Sequence, residues 1–368
     1  MIKFTFIFVI LYWLMVRPKG EKAVNTYIFI CAALFSIMIG FRNEAIYGDT
    51  PGYVFRFKQL DDISFSRMID GVYRDRLFWI VAWSIAQIVG DNYTIWLVLQ
   101  AFAIMVPVTL IIKRYSGEPM YSWIVLFFIG FTLFFMAGLR QIVAISFTLS
   151  GFLVLLDDKR NQRNKLWWFV VLVVLASFFH GSAWICLIAL FFSHRKLNGV
   201  TFLLYLISLT VILLYGRTLM FSVTGFVGQY DSRYISYGEK LYGSTMTYFF
   251  QQLILVIPSI YLLRNRLKEP LVALFCHFGI LGLLIISLSP IVAEMFRLSF
   301  YFSWANLIIF PLAIQEMRKR ANILPMLYML FFIVYLIFIN KSAWETYYFW
   351  FEDTTQLMKT YYLDEMYF

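Results

Sequence analysis

Apolar runs long enough to cross a bilayer recur along this chain of 368 residues, with short basic segments between them. A spanning helix needs about 20 apolar residues. Hydrophobic residues make up 61% of the chain and charged residues 14%, whereas soluble domains average about 25% charged residues. Alternating strands of the porin type are absent, which leaves helices as the spanning elements. The sequence therefore predicts an all-α polytopic membrane protein.

The apolar runs predict about 12 transmembrane helices, with roughly 11–14 as the acceptable range. They lie at 2–16, 24–41, 92–112, 119–137, 142–156, 166–179, 182–193, 200–215, 246–263, 271–288, 298–315 and 322–340. The apolar stretch near 77–89 is short, which favours a re-entrant or interfacial helix. His180-Gly181 separates the spans 166–179 and 182–193, so the hairpin that these two spans form is expected to break inside the membrane. Residues 1–368 are predicted to form one membrane domain with three appendages: the exterior loops 42–76 and 216–245 and the exterior tail 341–368.

The distribution of basic residues orients the chain. One set of loops carries 17 Lys and Arg against 6 Asp and Glu, which leaves 14 basic against 15 acidic residues for the rest of the chain. This set comprises 17–22, 113–118, 157–165, 193–198, 264–269 and 316–320. Loops rich in Lys and Arg remain in the cytoplasm. The basic residues therefore report topology, and nucleic acid is not predicted as a partner.

The sequence lacks the motifs that metal, disulfide and nucleotide chemistry require. The three cysteines, Cys31, Cys186 and Cys276, lie within apolar runs without the spacing of metal ligands or of a disulfide framework. No Asp-x-Asp pair and no His-x-x-x-His pair occurs, and no Gly-rich phosphate loop is present. The sequence predicts no metal, no cofactor and no nucleotide donor.

Two polar interruptions carry ionisable side chains at the ends of spans. They are Met136–Gln141, which contains Arg140, and Ser177–Ser182, which contains His180. A charged group at such depth costs about 2.5–3.5 kcal/mol on insertion scales, which favours a functional role. The loop assignment places both on the exterior side. The same side receives Arg42, Asp49, Arg233 and Arg297.

Arginines gathered at one membrane face indicate a polyanionic ligand, because the guanidinium binds phosphate through a planar fork and stays ionised. A lipid-linked diphosphate carries its charges at this depth. We predict that Arg42, Arg140 and Arg297 bind this diphosphate. His180 or Asp49 is the candidate base for a hydroxyl nucleophile, and Asp49 could instead orient the acceptor. Weaker candidates for substrate binding are Gln141, Tyr53, Arg233, Tyr230 and Tyr301.

Each candidate also has a purely structural interpretation. Arg42 and Arg297 could anchor helix ends at the lipid headgroups, and Asp49 could be an N-cap or turn residue. Arg140 could satisfy free carbonyls at a helix end, and His180 could be a hydrogen-bonded hinge. The sequence leaves both interpretations open.

The candidate residues fall within short motifs that resemble a known family. Gly40-Phe41-Arg42-Asn43, followed by Tyr47-Gly48-Asp49-Thr50 and Tyr53, resembles the Arg…Gly-Asp-Thr…Tyr signature of EpsG-like proteins, which are Wzy-type polysaccharide polymerases of bacterial envelopes. Further likenesses are Gly138-Leu139-Arg140-Gln141, the segment Ala176–Ala183 around His180, and Arg297 with Tyr301. One departure is the segment before the short apolar stretch, where the family often has an acidic residue and this chain reads Tyr73-Arg74-Asp75-Arg76; Asp75 could substitute for it.

The resemblance implies a GT-C-like membrane glycosyltransferase that polymerises undecaprenyl-diphosphate-linked oligosaccharide repeats, with lipid diphosphate as leaving group and no metal. It also implies a multi-pass protein of the bacterial inner membrane whose active site faces the periplasm or exterior. The donor and the acceptor would be lipid-linked oligosaccharides. Membrane lipid and a chain-length regulator protein would be further partners.

Other functions remain open. A flippase or transporter of the same lipid-linked substrate would need similar arginines, although charges along both halves of a path would be expected. A glycan ligase would share the chemistry, and an acyltransferase of the envelope would also use a membrane histidine. The gathering of charge on one face favours the polymerase.

Overall fold

A computed structural model describes most of the chain. The described residues are 1–46, 48–71, 75–157, 159, 161–192, 197–228 (backbone only from 223), 246–292, 294–319, 327, 328, 330, 331, 334 and 347–354. Within them the secondary structure is helical, apart from one isolated antiparallel bridge between Arg42 and Phe349. The predicted all-α fold class is thereby confirmed for the described residues.

The described residues form sixteen α-helices and two 3-10 helices. The first eight are α1 (Ile2–Val16), α2 (Gly20–Gly40), α3 (Thr50–Phe57), α4 (Phe65–Gly71), α5 (Arg76–Val89), α6 (Tyr93–Tyr115), α7 (Pro119–Phe128) and α8 (Phe131–Ala137). The remaining eight are α9 (Leu139–Leu155), α10 (Gln162–Phe179), α11 (Ala189–Phe192), α12 (Gly199–Gly228), α13 (Thr247–Leu262), α14 (Pro270–Ile286), α15 (Glu294–Ser303) and α16 (Asn306–Arg318). The 3-10 helices are Gly181–Ile188 and Arg264–Arg266.

Three of these helices are long and apolar enough to cross a membrane, or five if each of two bent pairs forms one span. The three are Gly20–Gly40, Tyr93–Tyr115 and Gly199–Ser222, and the pairs are α7 with α8 and α15 with α16. Six shorter apolar helices accompany them. The chain is therefore a multi-pass membrane protein. The count of about 12 spans stays a prediction, and the span predicted at 322–340 lies mostly outside the described residues.

The chain divides into two compact units. The first comprises Met1–Tyr115, Phe131–Trp184 and Met329–Phe368, and the second comprises Ser116–Gly130 and Ile185–Tyr328. In the first unit, α2 packs closely on α6, since a Cβ at Gly40 would lie 2.9 Å from the Val98 backbone. Helix α6 packs in turn on α9, where the Ser146 hydroxyl donates to the Ala103 carbonyl at 2.5 Å.

Helices α9 and α10 form an antiparallel hairpin in the first unit. Phe152, near the end of α9, packs on Phe169 in the first half of α10, and Phe147, midway along α9, stacks on Phe179 at the end of α10; each pair has ring centroids 5.2 Å apart. The start of α9 and the end of α10 consequently lie at the same end of the hairpin.

The second unit packs α7 and α13 to α16 around buried polar groups. The Ser122 hydroxyl donates to the Leu307 carbonyl at 2.6 Å, and the Ser303 hydroxyl donates to Gln252 Oε1 at 2.8 Å. His277 is fully buried and bonds the Tyr205 hydroxyl at 2.7 Å. His277 is therefore a core residue of α14, as its place in an apolar run suggests.

The structure corrects two predicted loops. The predicted loop 42–76 contains α3 and α4, because its short apolar stretches pack against α5. The predicted loop that begins at 216 starts inside α12, which continues to Gly228. The apolar segment predicted at 182–193 coincides with helical residues, most of them in a 3-10 helix, a form that rarely exceeds three or four residues.

Candidate active site

Arg140 lies at the start of α9, where two side chains from other helices hold its guanidinium. Its Nε donates to the Tyr53 hydroxyl at 2.6 Å, and its Nη1 donates to Asp75 Oδ2 at 2.7 Å. The guanidinium carbon also lies 5.4 Å from the centroid of the Tyr53 ring. These three contacts fix the plane of the guanidinium.

The position of Arg140 is electrostatically unusual. A cation in the first turn of a helix opposes the helix dipole, whose positive end lies there. The charge of Asp75, together with that of Asp49, acts on Arg140 and offsets this cost. Gly138 precedes the helix and makes no side-chain cap to its first turn. The positive end of a helix dipole beside an arginine favours an anion at this helix end.

Part of the Arg140 guanidinium remains open. Within the described residues, Nη2 has no hydrogen-bond partner, and 34% of the side-chain surface is exposed. Arginine has five N–H donors in a fixed fork. Arg140 is therefore held on one edge and can bind an anion with the other.

The two partners of Arg140 come from the short helices α3 and α5. Tyr53 lies in the first turn of α3, which has Pro51 near its start, where the fixed backbone angle of proline suits a helix. Asp75 precedes α5 with a φ of 50°, a left-handed conformation that a non-glycine residue adopts at a cost. Such strain is retained where the surrounding contacts hold it. The Asp75–Arg140 ion pair is one such contact.

A tight turn places Asp49 near Arg140. Gly48 has a φ of 53°, and a Cβ at this position would lie 3.3 Å from the Ala137 Cβ. Glycine is therefore favoured for both backbone angle and space. The following residue, Asp49, precedes α3 and makes no side-chain cap to it. Its carboxylate is instead among the charges that act on Arg140.

Arg42 is buried, with 1% of its surface exposed. Its guanidinium donates to the Met136 carbonyl at 2.7 Å, to the Ile39 carbonyl, and weakly to the Thr50 hydroxyl at 3.5 Å. The Thr50 hydroxyl also donates to Met136 at 2.6 Å. Among the described residues no carboxylate forms an ion pair with Arg42, yet burial lowers its pKa only to about 10. In this structure Arg42 is a cationic clamp between the end of α2 and the segment that leads to Arg140.

Asn43 joins the same region to the C-terminal segment 347–354. Its amide nitrogen donates to the carbonyls of Glu352 at 2.9 Å and Phe349 at 3.3 Å. Its amide oxygen accepts from the Thr354 hydroxyl at 2.7 Å and from the Ala45 N–H at 2.9 Å. The amide of this buried residue is thus fully engaged, and it fastens the described part of the tail to the end of α2.

His180 ends α10 in an extended conformation, with φ −159° and ψ 118°. Its Nδ1 lies 2.6 Å from the Ser182 hydroxyl. The predicted break at this residue is confirmed, since the 3-10 helix begins at Gly181. Phe147, which stacks on the neighbouring Phe179, follows Arg140 by seven residues, about 10 Å along a helix. His180 therefore belongs to the same end of the hairpin but lies further along α9.

The other predicted residues have different surroundings. Gln141 is buried next to Arg140. Arg297 is exposed on α15, and Tyr301 is fully buried on the same helix, both in the second unit. Tyr230 and Arg233 lie outside the described residues.

In the residue pattern Asp75 is only a possible substitute for the family's acidic residue, whereas in the structure it pairs with Arg140. It is 65 residues from Arg140 in sequence. The sequence signal for this pair is an acidic residue before an amphipathic stretch, in a region that already has an exterior arginine. This signal alone does not identify Arg140 as the partner of Asp75.

The comparisons with known proteins agree with the motifs. No curated protein and no solved structure matches the chain. The family model described as EpsG family matches residues 25–356, which include every candidate residue named above. The chain therefore belongs to the EpsG family.

Proposed function

We propose that this protein is a membrane glycosyltransferase that polymerises lipid-linked oligosaccharide repeats into a surface polysaccharide such as O-antigen, capsule or exopolysaccharide. Membership of the EpsG family supports a membrane polysaccharide polymerase. The observation that carries the proposal is Arg140, which is fixed by Tyr53 and Asp75 and has open donors at a helix start. This arrangement suits the diphosphate of an undecaprenyl-linked donor.

The reaction proposed is a displacement at the anomeric carbon of the donor. A hydroxyl of the acceptor sugar attacks this carbon, and the bond from carbon to the diphosphate oxygen breaks. The electron pair goes to the lipid diphosphate, and the hydroxyl proton goes to a protein base. Arg140 would stabilise the departing charge, with about 1.5–3 kcal/mol for each charged hydrogen bond. No metal enters this step.

Two residues are proposed as the base. Asp49 is one of them, and its charge acts on the Arg140 guanidinium. His180 could serve if Nδ1–H donates to Ser182, because Nε2 would then carry the lone pair. The choice between them rests on the pH dependence of catalysis.

Arg42 has a supporting role in this proposal. Its buried guanidinium bonds the Met136 carbonyl, four residues before Arg140, so it would hold the segment that presents Arg140. Direct contact between Arg42 and the diphosphate stays a prediction, as does the part of Arg297, which belongs to the second unit.

The proposed setting is the bacterial inner membrane, with the site on the periplasmic or exterior face. The excess of Lys and Arg in the loops that include 157–165 and 264–269 supports this orientation. A GT-C-like architecture with about 12 spans and a chain-length regulator as partner belong to the same proposal.

A strain that lacks the gene tests the proposal against its rivals. Single repeats transferred to the final acceptor would support a missing polymerase. Long chains left on the carrier lipid would instead indicate a ligase, and repeats retained inside the cell would indicate a flippase. Complementation with Arg140→Gln at normal protein level should leave single repeats, whereas full polymer from this variant would overturn the proposed role of Arg140.

A further inference from the structure

Arg56 is a second arginine beside the Arg140 site. It is exposed on α3, and among the described residues no carboxylate forms an ion pair with it. Its guanidinium carbon lies 5.8 Å from the centroid of the Trp79 ring, which holds it by a cation–π contact. Arg56 is thus oriented by an aromatic ring without being neutralised.

Arg56 and Arg140 lie along one seam between α3 and α5. Tyr53 and Arg56 are three residues apart on α3 and therefore share a helix face. Trp79 lies in the first turn of α5, just after Asp75, which precedes this helix. The Tyr53 and Trp79 rings meet with centroids 6.1 Å apart. Arg140 contacts this seam at Tyr53 and Asp75, and Arg56 contacts it one helical turn further on, at Trp79.

A diphosphate bound at Arg140 would lie near two carboxylates, because the charges of Asp75 and Asp49 both act on this arginine. A diphosphate would add further negative charge, and like charges a few ångströms apart repel by several kcal/mol at the effective dielectric of a protein surface. An unpaired arginine next to the site can offset this repulsion.

We propose that Arg56, supported by Trp79, is a second anion subsite that binds the phosphate of the lipid diphosphate beyond the one held by Arg140. This inference rests on the proposed function. It predicts that the protein distinguishes a diphosphate from a monophosphate, and that Arg56 is responsible for the difference.

Binding of radiolabelled farnesyl diphosphate and farnesyl monophosphate tests the subsite. The full chain is placed in nanodiscs of phosphatidylcholine, a lipid without net charge, so that headgroup anions do not compete. Arg56→Gln should weaken binding of the diphosphate about tenfold or more and leave binding of the monophosphate unchanged. The preference of the wild-type protein for the diphosphate should therefore disappear, and Arg56→Lys should restore part of it.

Arg67 provides a matched control, since it is also an exposed arginine, on the neighbouring helix α4, but has no stacking partner among the described rings. Arg67→Gln should bind both compounds like the wild type. Equal losses in Arg56→Gln and Arg67→Gln would indicate a general field effect and overturn the subsite. Wild-type binding by Arg56→Gln would overturn it as well and would leave Arg56 as an anchor to lipid headgroups.

Arg140→Gln separates this inference from the proposed function. If Arg140→Gln loses binding of both compounds and Arg56→Gln loses neither, the subsite fails but the site at Arg140 stands. If neither variant changes binding, the diphosphate does not bind here and both proposals fail.

Discussion

At the buried Arg42, the conservative substitution to lysine should destabilise the protein more than the non-conservative substitution to methionine. Arg42 makes two close bonds to the Ile39 and Met136 carbonyls, and the longer contact to Thr50 adds little. Each charged bond contributes about 1.5–3 kcal/mol, which gives about 3–6 kcal/mol in total. Burying the cation costs several kcal/mol in the opposite direction. Arg42→Met removes both terms at similar volume, so they largely cancel, and the free energy of unfolding should change by less than the about 1.5–3 kcal/mol of one charged bond.

Arg42→Lys should be the more harmful change. A single ammonium group keeps the buried charge but cannot bridge the two carbonyls as the guanidinium fork does. The loss is about 1.5–3 kcal/mol for the missing bond. The total loss cannot exceed about 4–5 kcal/mol, because at that cost the lysine would lose its proton at neutral pH and be buried as a neutral amine.

Thermal aggregation of the detergent-solubilised variants, followed by size-exclusion chromatography, measures this order. Arg42→Met should retain a midpoint near that of the wild type, and Arg42→Lys should fall clearly below both. Both variants should lose polymer formation, because neither holds the segment before Arg140. A lysine variant as stable as the wild type would refute the clamp, and so would a methionine variant that does not fold.

Three further predictions concern the surroundings of Arg140. Asn43→Asp places an acceptor where the amide donates to two carbonyls, so segment 347–354 should become sensitive to limited proteolysis. Asn43→Gln, which keeps the amide, is the comparison. An unchanged digestion pattern for Asn43→Asp would contradict the contact. Gly48→Ala should cost about 1–2 kcal/mol because of the left-handed backbone, whereas Gly181→Ala, with open space at its Cβ, should be nearly neutral in the same melting assay. His180→Ala should lower the polymerisation rate about 10²–10⁴-fold and remove a pH-dependent limb near neutrality if His180 is the base; a retained limb would point to Asp49.

Several apolar helices were predictable from the sequence, because their signal is local. Spans such as 2–16 and 246–263 coincide with α1 and α13 to within a residue, since continuous hydropathy is enough to define them. The break at His180 was also predictable, as a polar pair inside an apolar run. Helix α3 had a local signal that the long-span pattern conceals, namely Pro51 just after Asp49-Thr50, a common helix start.

The contacts of the candidate site could not be predicted in the same way. The bond from Arg42 to Met136 joins residues 94 apart in sequence, and that from Arg140 to Asp75 joins residues 65 apart. A single sequence gives the types of these residues but not their pairing. Arg42 was predicted as a diphosphate ligand because it is an arginine at a membrane face. Its burial depends on the turn at Gly48 and on the tail, neither of which is apparent from hydropathy.

The central claim is that lipid diphosphate leaves as each glycosidic bond forms, with Arg140 stabilising it. The most direct measurement uses the purified protein in liposomes with a synthetic undecaprenyl-diphosphate-linked repeat, a metal chelator and no nucleotide sugar. Released undecaprenyl diphosphate and new glycosidic bonds are counted together. The account predicts a polymer ladder with one diphosphate released for each bond, and a loss of about 100-fold or more in Arg140→Gln. Elongation that requires a metal or a nucleotide sugar, or that releases no lipid diphosphate, would contradict it.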